Sequence, residues 1–160
     1  MVDQAAFRSV LGSFTSGVTI VTTCHNEQLH GITVSSFCSL SLEPPLVLVC
    51  IDNRCRSADL IKQASVFAVN ILAEDGEWLS RQFASRAEDK FANVAYYYGE
   101  TGVPLLQQAL AVIECQLVNK LPGGDHTIFV GQVIAAHAND QLRPLVYQRS
   151  RYHQLAEVWV

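Results

Sequence analysis

Charge is scarce in this chain. Only 16% of its 160 residues are Asp, Glu, Lys or Arg, and the formal net charge is −4. That balance, with no basic patch interleaved with aromatics, argues against a nucleic-acid partner. Long apolar runs are also missing, and nothing approaches the roughly 18–20 residues of a membrane span. The start, Met1-Val2-Asp3-Gln4, has neither a basic n-region nor an apolar h-region, so no signal peptide is expected. The five cysteines (Cys24, Cys38, Cys50, Cys55, Cys115) form no CxxC. Their odd number and irregular spacing fit reduced thiols in a cytoplasmic protein. No HExxH occurs, and no metal site is expected. GxGxxG, GxxxxGK[ST] and GxSxG are absent too, which argues against Rossmann, P-loop and α/β-hydrolase readings.

Apolar residues, by contrast, make up 49% of the chain. That predicts one domain over residues 1–160 with a substantial core and a buried subunit interface besides. Phe7, Val10, Leu11 and Phe14 recur at i, i+3, i+4, i+7, predicting an opening amphipathic helix capped by Asp3 and ended by Gly12 and Gly17. Strands are expected over Val18–Cys24, from about Leu29 after a hairpin connection at 25–28, and over Leu46–Ile51 and Val66–Leu72. Glu77–Ser85 reads as a helix, and 86–110 reads as loop with short helical pieces. Long strands over Val112–Leu121 and His126–His137 flank a tight turn at 122–125. Six strands joined mostly by turns favour a mainly β antiparallel barrel with a few short helices.

The most informative stretch is 31–51. Five hydroxyls (Thr33, Ser35, Ser36, Ser39, Ser41) fall within nine residues, then Pro44-Pro45, then the apolar run Leu46–Ile51. A polar ligand laid along the edge of a well-packed sheet accounts for both. Asp52-Asn53-Arg54-Cys55-Arg56-Ser57 follows and leads into a helix over 58–64, with Ser57 as the expected N-cap. Two arginines beside a helix N-terminus predict a phosphate-binding loop. Tyr96-Tyr97-Tyr98 is read as aromatic packing at an interface.

These pieces resemble the short-chain NAD(P)H:flavin oxidoreductases, the reductase components of two-component flavin monooxygenases. The resemblance begins with Phe7-Arg8, Leu11-Gly12, Phe14 and Gly17–Thr23, and continues through 31–51 and Phe67–Leu72. It then runs through Leu79-Ser80, Phe83-Ala84, Asp89-Lys90-Phe91, Gly124–Gly131, Pro144–Tyr147 and Tyr152. It implies a six-stranded antiparallel split β-barrel of Greek-key type, the FMN-binding split barrel. It also implies roles. Backbone groups around Thr33, Val34, Ser35 and Ser36 would bond the flavin ring edge, with Ser35, Ser36 and Ser39 along the ribityl-phosphate tail. The loop Asp52, Asn53, Arg54, Cys55, Arg56 and Ser57 would reach the phosphate. Phe83, Ala84, Ser85 and Arg86 would meet an adenylate if the flavin is FAD. Cys55 stands where the family usually has Ser, and a thiol is the weaker donor, which shifts phosphate binding toward Arg54, Arg56 and Ser57.

The same resemblance places His126, in Gly124-Asp125-His126, as the catalytic-site histidine at the nicotinamide pocket. There it would position hydride transfer rather than serve as an obligatory acid. Tyr152 and His153, with Arg149 and Arg151, would reach the pyridine nucleotide. The implied cofactors are FMN or FAD with NADH or NADPH. NADH is preferred because no Arg/Lys cluster near the C-terminal strands marks a 2′-phosphate site. The implied partners are a separate flavin-dependent monooxygenase and a second copy of the chain in a homodimer. Alternatives on the same fold are a flavin-carrying electron-transfer module without a nicotinamide site and a pyridoxamine-phosphate-oxidase-type enzyme. Gly-Asp-His favours the reductase.

Overall fold

The computed structural model describes residues 2–156. Met1 and residues 157–160, the outer ends of the domain expected over 1–160, lie outside the described residues.

Helix α1 spans Gln4–Leu11, and the Asp3 carboxylate accepts the Ala6 N–H at 3.2 Å, as the cap expectation requires. Gly12 ends the helix, so Phe14 lies beyond it. None of its residues is buried, and Phe7 and Phe14 are 55% and 80% exposed. The apolar stripe is thus left largely uncovered among the described residues.

Strands β1 (Ser16–Gly17), β2 (Thr19–His25), β3 (Gln28–Val34), β4 (Phe37–Leu42) and β5 (Pro45–Asp52) follow. Asn26 and Glu27, both at positive φ, make the two-residue turn between β2 and β3, as a primed hairpin turn demands. Helix α2 (Arg56–Ala64), β6 (Val66–Leu72) and α3 (Glu77–Ala84) come next. The segment expected to be loop contains a hairpin, β7 (Tyr96–Tyr98) with β8 (Pro104–Leu106). Each strand has three residues, too few for a two-residue alternation to show. The chain closes with β9 (Ala109–Gly123), β10 (His126–Ala138), β11 (Val146–Gln148) and β12 (Arg151–His153).

The principal sheet has the order β3-β2-β6-β9-β10-β5-β4, with every neighbouring pair antiparallel. It has seven strands where the sequence reading counts six, because the hydroxyl-rich stretch breaks at Ser35–Ser36 into β3 and β4. These two strands end up at opposite edges of the sheet with no ladder between them. The mainly β antiparallel fold is therefore as expected, and the barrel is split along one seam.

Strand β5 alternates. Val47, Val49 and Ile51 are buried, while Leu46, Leu48 and Cys50 are only half-buried. The apolar run thus feeds the core with one face and the surface beside the seam with the other. Inside, Val21, Val34, Val49, Ile51, Phe67 and Phe129 form one cluster, and Ile20, Leu79, Phe83, Phe91 and Leu145 another. The polar groups among them are paired. Asn70 donates to the Ile20 carbonyl at 3.0 Å and accepts the Leu106 N–H at 2.8 Å, and no buried side-chain polar atom lacks a partner among the described residues.

Candidate functional site

The seam is built by the break at Ser35–Ser36. Thr33, on β3, donates its hydroxyl to the Ser80 carbonyl at 2.7 Å, and Ser36 donates to the Cys50 carbonyl at 2.9 Å. Both hydroxyls therefore serve the fold. Val34 is buried, and its carbonyl accepts from Thr19 at 2.7 Å. The exposed hydroxyls of Ser35 and Ser39 make no hydrogen bond among the described residues. Ser35 borders two cavities at once. One, about 220 Å³, is walled by Val18, Thr33, Ser80, Ala84, Tyr147 and Tyr152. The other, a groove of about 540 Å³, has an apolar floor including Leu11, Phe14, Phe37 and Leu48, with Ser36 and Cys50 beside them. These volumes fall in the usual range for small-molecule sites, roughly 300–1,000 Å³ taken together. An apolar floor with the free Ser35 hydroxyl at its edge fits a flat ring with heteroatoms along one edge.

The anion loop is organised differently from the sequence expectation. Arg54 folds back on Asp52 in a bidentate pair, with contacts of 2.6 and 3.1 Å, and the Arg54 N–H also bonds that carboxylate at 2.9 Å. Those bonds hold the Asp52 carboxyl well below the usual carboxylate range. Arg56 instead donates to Gln28 at 2.7 Å. The two arginines thus diverge, as neighbours two apart on a turn entering a helix do. Asn53 accepts from the Thr127 hydroxyl at 2.6 Å, and its N–H bonds the Asp125 carbonyl at 3.0 Å, tying the loop to β10.

The N-cap of α2 is Cys55, without a side-chain cap bond, not Ser57. Ser57 lies inside the first turn, is 2% exposed, and bonds His30 Nδ1 at 2.8 Å. Its partner is on β3, 27 residues away, which local sequence cannot reveal. Cys55 also packs against the core cluster. Cys55→Ser is expected to keep or raise both stability and flavin affinity, because a serine at this position can accept a first-turn N–H. Thermal melting and flavin titration check this. A large loss in either would mark Cys55 as an indispensable packed thiol.

His126 opens β10 opposite Gly123 and Asp52, half-buried, and its Nδ1 lies 2.7 Å from Asp125 Oδ1. That bond orients the ring and lowers the Asp125 pKa. On β5, Cys50, which borders the groove, lies two residues before Asp52. His126 therefore sits on the rim just past the groove.

Tyr152 and His153 are not grouped with it. The Tyr152 hydroxyl bonds Ser80 at 2.8 Å, Arg81 lies over its ring, and Tyr147 packs beside it. His153 is exposed. Tyr152 is thus a wall of the smaller cavity. The 83–86 segment also divides. Phe83 is fully buried, directly beneath Gly31, where a Cβ would lie 2.4 Å from its ring. Ala84 is exposed at the smaller cavity, Ser85 closes the end of α3 by donating to the Gln82 carbonyl at 2.7 Å, and Arg86 is exposed.

Sequence reasoning missed Ser80 and Tyr147 as walls of the smaller cavity and His30 as the partner of Ser57. The β3 alternation could have flagged His30 once Gly31 was known to face Phe83. Tyr96 packs edge-on against Phe91 and Tyr98, at 5.4 and 5.8 Å, while Tyr97 and Tyr98 remain exposed. All five thiols are free, burial pushes that of Cys115 up to about 12, and no group of three or more metal-ligating side chains occurs among the described residues. Among those residues no helix is long and apolar enough to cross a membrane.

Comparison with known proteins gives this geometry a family. Residues 11–156 match the model of the flavin reductase like domain. The reductase component of a 4-nitrophenol 4-monooxygenase/4-nitrocatechol 2-monooxygenase from Rhodococcus opacus is 44% identical over 150 residues, covering 94% of this chain and 80% of that protein. A flavin reductase (NADH) from Kitasatospora aureofaciens is 38% identical, with 95% and 82% covered. The solved structure of the Streptomyces globisporus NADH:FAD oxidoreductase SgcE6, in complex with NAD and FAD fragments, superposes with a TM-score of 0.93 at 36% identity, covering 96% of this chain and 93% of that one. With a split antiparallel barrel, a hydroxyl-edged seam and a model match over nearly its whole length, the chain belongs to the flavin reductase like family.

Proposed function

We propose that this protein is a flavin reductase in which NADH, with NADPH as the lesser option, reduces FMN or FAD and the reduced flavin leaves for a separate flavin-dependent monooxygenase. The observation that carries this is the seam: the free hydroxyl of Ser35 at the edge of an apolar groove, in a chain of this family. When bound, the flavin supplies the hydride acceptor and the reduced nicotinamide the donor. The protein binds and aligns. Ser35 and Ser36 meet the ring edge, and Ser39 meets the tail. Asn53 and Arg56 line the approach of the phosphate, and Ala84 with Arg86 borders the place of an adenylate. His126, oriented by Asp125, holds the nicotinamide side of the rim and contributes geometry rather than a strong acid. Tyr152 braces the ring pocket through Ser80.

The working unit is a homodimer of a single domain spanning 1–160, in the cytoplasm where five free thiols persist. The bare apolar side of α1 supports this, because Leu11 and Phe14 floor the groove yet remain 54% and 80% exposed in the lone chain. A second copy covering them would close the site.

Steady-state NADH oxidation with and without added free flavin tests the proposal. Turnover is expected only with FMN or FAD present, with one reduced flavin formed per NADH consumed. No NADH oxidation in either condition would point to an electron-transfer module, and oxidation of a phosphorylated pyridoxal-type amine to an oxidase.

A further inference from the structure

The smaller cavity, about 220 Å³, falls below the roughly 300–1,000 Å³ usual for a small-molecule site. A ligand that enters it keeps its remainder elsewhere, and the apolar groove of about 540 Å³ adjoins it. Ser35 and Tyr147 are the residues that border both cavities. A ligand seated in both therefore passes between these two side chains. The Tyr147 hydroxyl makes no hydrogen bond among the described residues, so packing holds its ring. Tyr147 on β11 stands opposite Tyr152 on β12, with ring centroids 5.2 Å apart and planes tilted by 54°. Such cross-strand aromatic pairs are stabilising. Tyr152 is fixed in its turn. Its hydroxyl lies 2.8 Å from that of Ser80, and Arg81 sits 5.1 Å above its ring. Glu77 holds Arg81 at 2.7 Å. Ser80 is 1% exposed, and its carbonyl accepts the Thr33 hydroxyl at 2.7 Å, two residues before Ser35. Ser80 thus ties to both sides of the passage, to the tyrosine side through its side chain and to the serine side through its backbone.

We propose that Ser35 and Tyr147 form a neck that selects the ligand by the bulk of its ring edge, with Tyr147 as the specificity-determining residue and Ser80 as the positioning residue that sets the opening. This rests on the flavin reductase reading and specifies what the site measures on the flavin. Closely packed side chains yield poorly to added bulk. Tyr147 is backed by a second ring, and that ring is anchored at its far end by a hydroxyl and a cation. Tyr147 can turn aside only if its packing on Tyr152 is given up or the Ser80–Tyr152 bond breaks. A flat, unsubstituted ring edge passes such a neck, and an edge carrying extra atoms at the passage does not. The selecting element is the Tyr147 ring rather than its hydroxyl, so phenylalanine preserves it and alanine removes it. Ser80→Ala deletes the anchor of Tyr152 while leaving the backbone bond to Thr33 in place.

Calorimetric titration of the full chain with riboflavin and two ring-substituted riboflavins tests the neck. One analogue carries an alkyl group on N3, at the pyrimidine end, and the other an alkylamino group on C8, at the benzenoid end. The wild-type protein is expected to prefer riboflavin over at least one analogue by about tenfold or more, the usual cost of a misfit of a methylene or two in a shaped pocket. Tyr147→Phe should keep that ratio, Tyr147→Ala should lose most of it, and Ser80→Ala should lose part of it. The ratio is the readout because general damage to the fold weakens all the ligands alike and leaves it unchanged. It also cancels any hydrogen bond that the substituent itself removes. Thermal melting shows which variants fold, and if Tyr147→Ala does not, Ser80→Ala carries the test. Equal affinity of the wild-type protein for all the ligands, a ratio unchanged in Ser80→Ala or in a folded Tyr147→Ala, or a ratio lost in Tyr147→Phe would overturn the proposal. In those cases FMN-dependent NADH oxidation by the wild-type protein would show that only the neck has failed. Absence of that oxidation would remove the parent reading.

Discussion

Replacing His126 with alanine is expected to slow reduction of bound flavin by NADH about a hundredfold while leaving the flavin dissociation constant nearly unchanged. The magnitude is what a small misalignment of two reacting groups costs, ~10²-fold in rate. The argument is positional. His126 is held at the rim by the ladder partners Gly123 and Asp52 and turned by Asp125 at 2.7 Å. It lies beyond the groove rather than among its floor residues. Anaerobic rapid mixing with flavin bleaching as the signal separates the steps. Because hydride transfer requires no obligatory acid here, the wild-type reduction rate should vary only gently with pH. An unchanged rate at saturating NADH together with unchanged NADH affinity would return His126 to the role of a turn residue. Loss of flavin binding would move it into the flavin's own contacts.

Phe83→Ala is expected to destabilise the fold by about 3–5 kcal/mol, the usual cost of emptying a buried aromatic site, and to lower the melting temperature by about 2–4 °C for each kcal/mol in a chain of this size. The ring is fully buried, sits against Gly31 closely enough that no Cβ fits there, and meets Phe91 edge-on at 5.1 Å. The Phe83 carbonyl also holds Lys90 at 2.8 Å, so loosening the ring should disturb that bond as well. The family resemblance alone places this residue beside an adenylate. On that account the substitution would weaken FAD relative to FMN and leave the melting temperature alone. Thermal unfolding of the apoprotein, with FMN and FAD titrations alongside, distinguishes the two accounts.

Strands with strong patterns were readable from sequence. Val18–Cys24, Leu46–Ile51, Val66–Leu72 and the long pair around the Gly-Gly turn carry enough β-branched residues and turn chemistry to specify themselves locally. The hairpin of β7 and β8 was not readable, since three-residue strands carry no period. The hydroxyl-rich stretch was recognisable as a ligand edge, yet its division into strands at opposite edges of the sheet was not. Ser35–Ser36 looks like its neighbours, and only the pairing of β3 with β2 and of β4 with β5 opens the seam there.

The sequence alone determined the class of the fold, the family resemblance, and which short segments carry hydroxyls, cations and the Gly-Asp-His turn, because each of these rests on residue type and local spacing. Tertiary structure decided what each side chain faces. It sent Arg54 to Asp52 and Arg56 to Gln28, turned Ser57 from a helix cap into the partner of His30, and sank Phe83 beneath Gly31. It also left α1 without a buried residue among the described residues. Each of these outcomes depends on a contact between segments tens of residues apart or within a turn whose geometry the whole barrel sets, and such contacts leave no periodic trace in the chain.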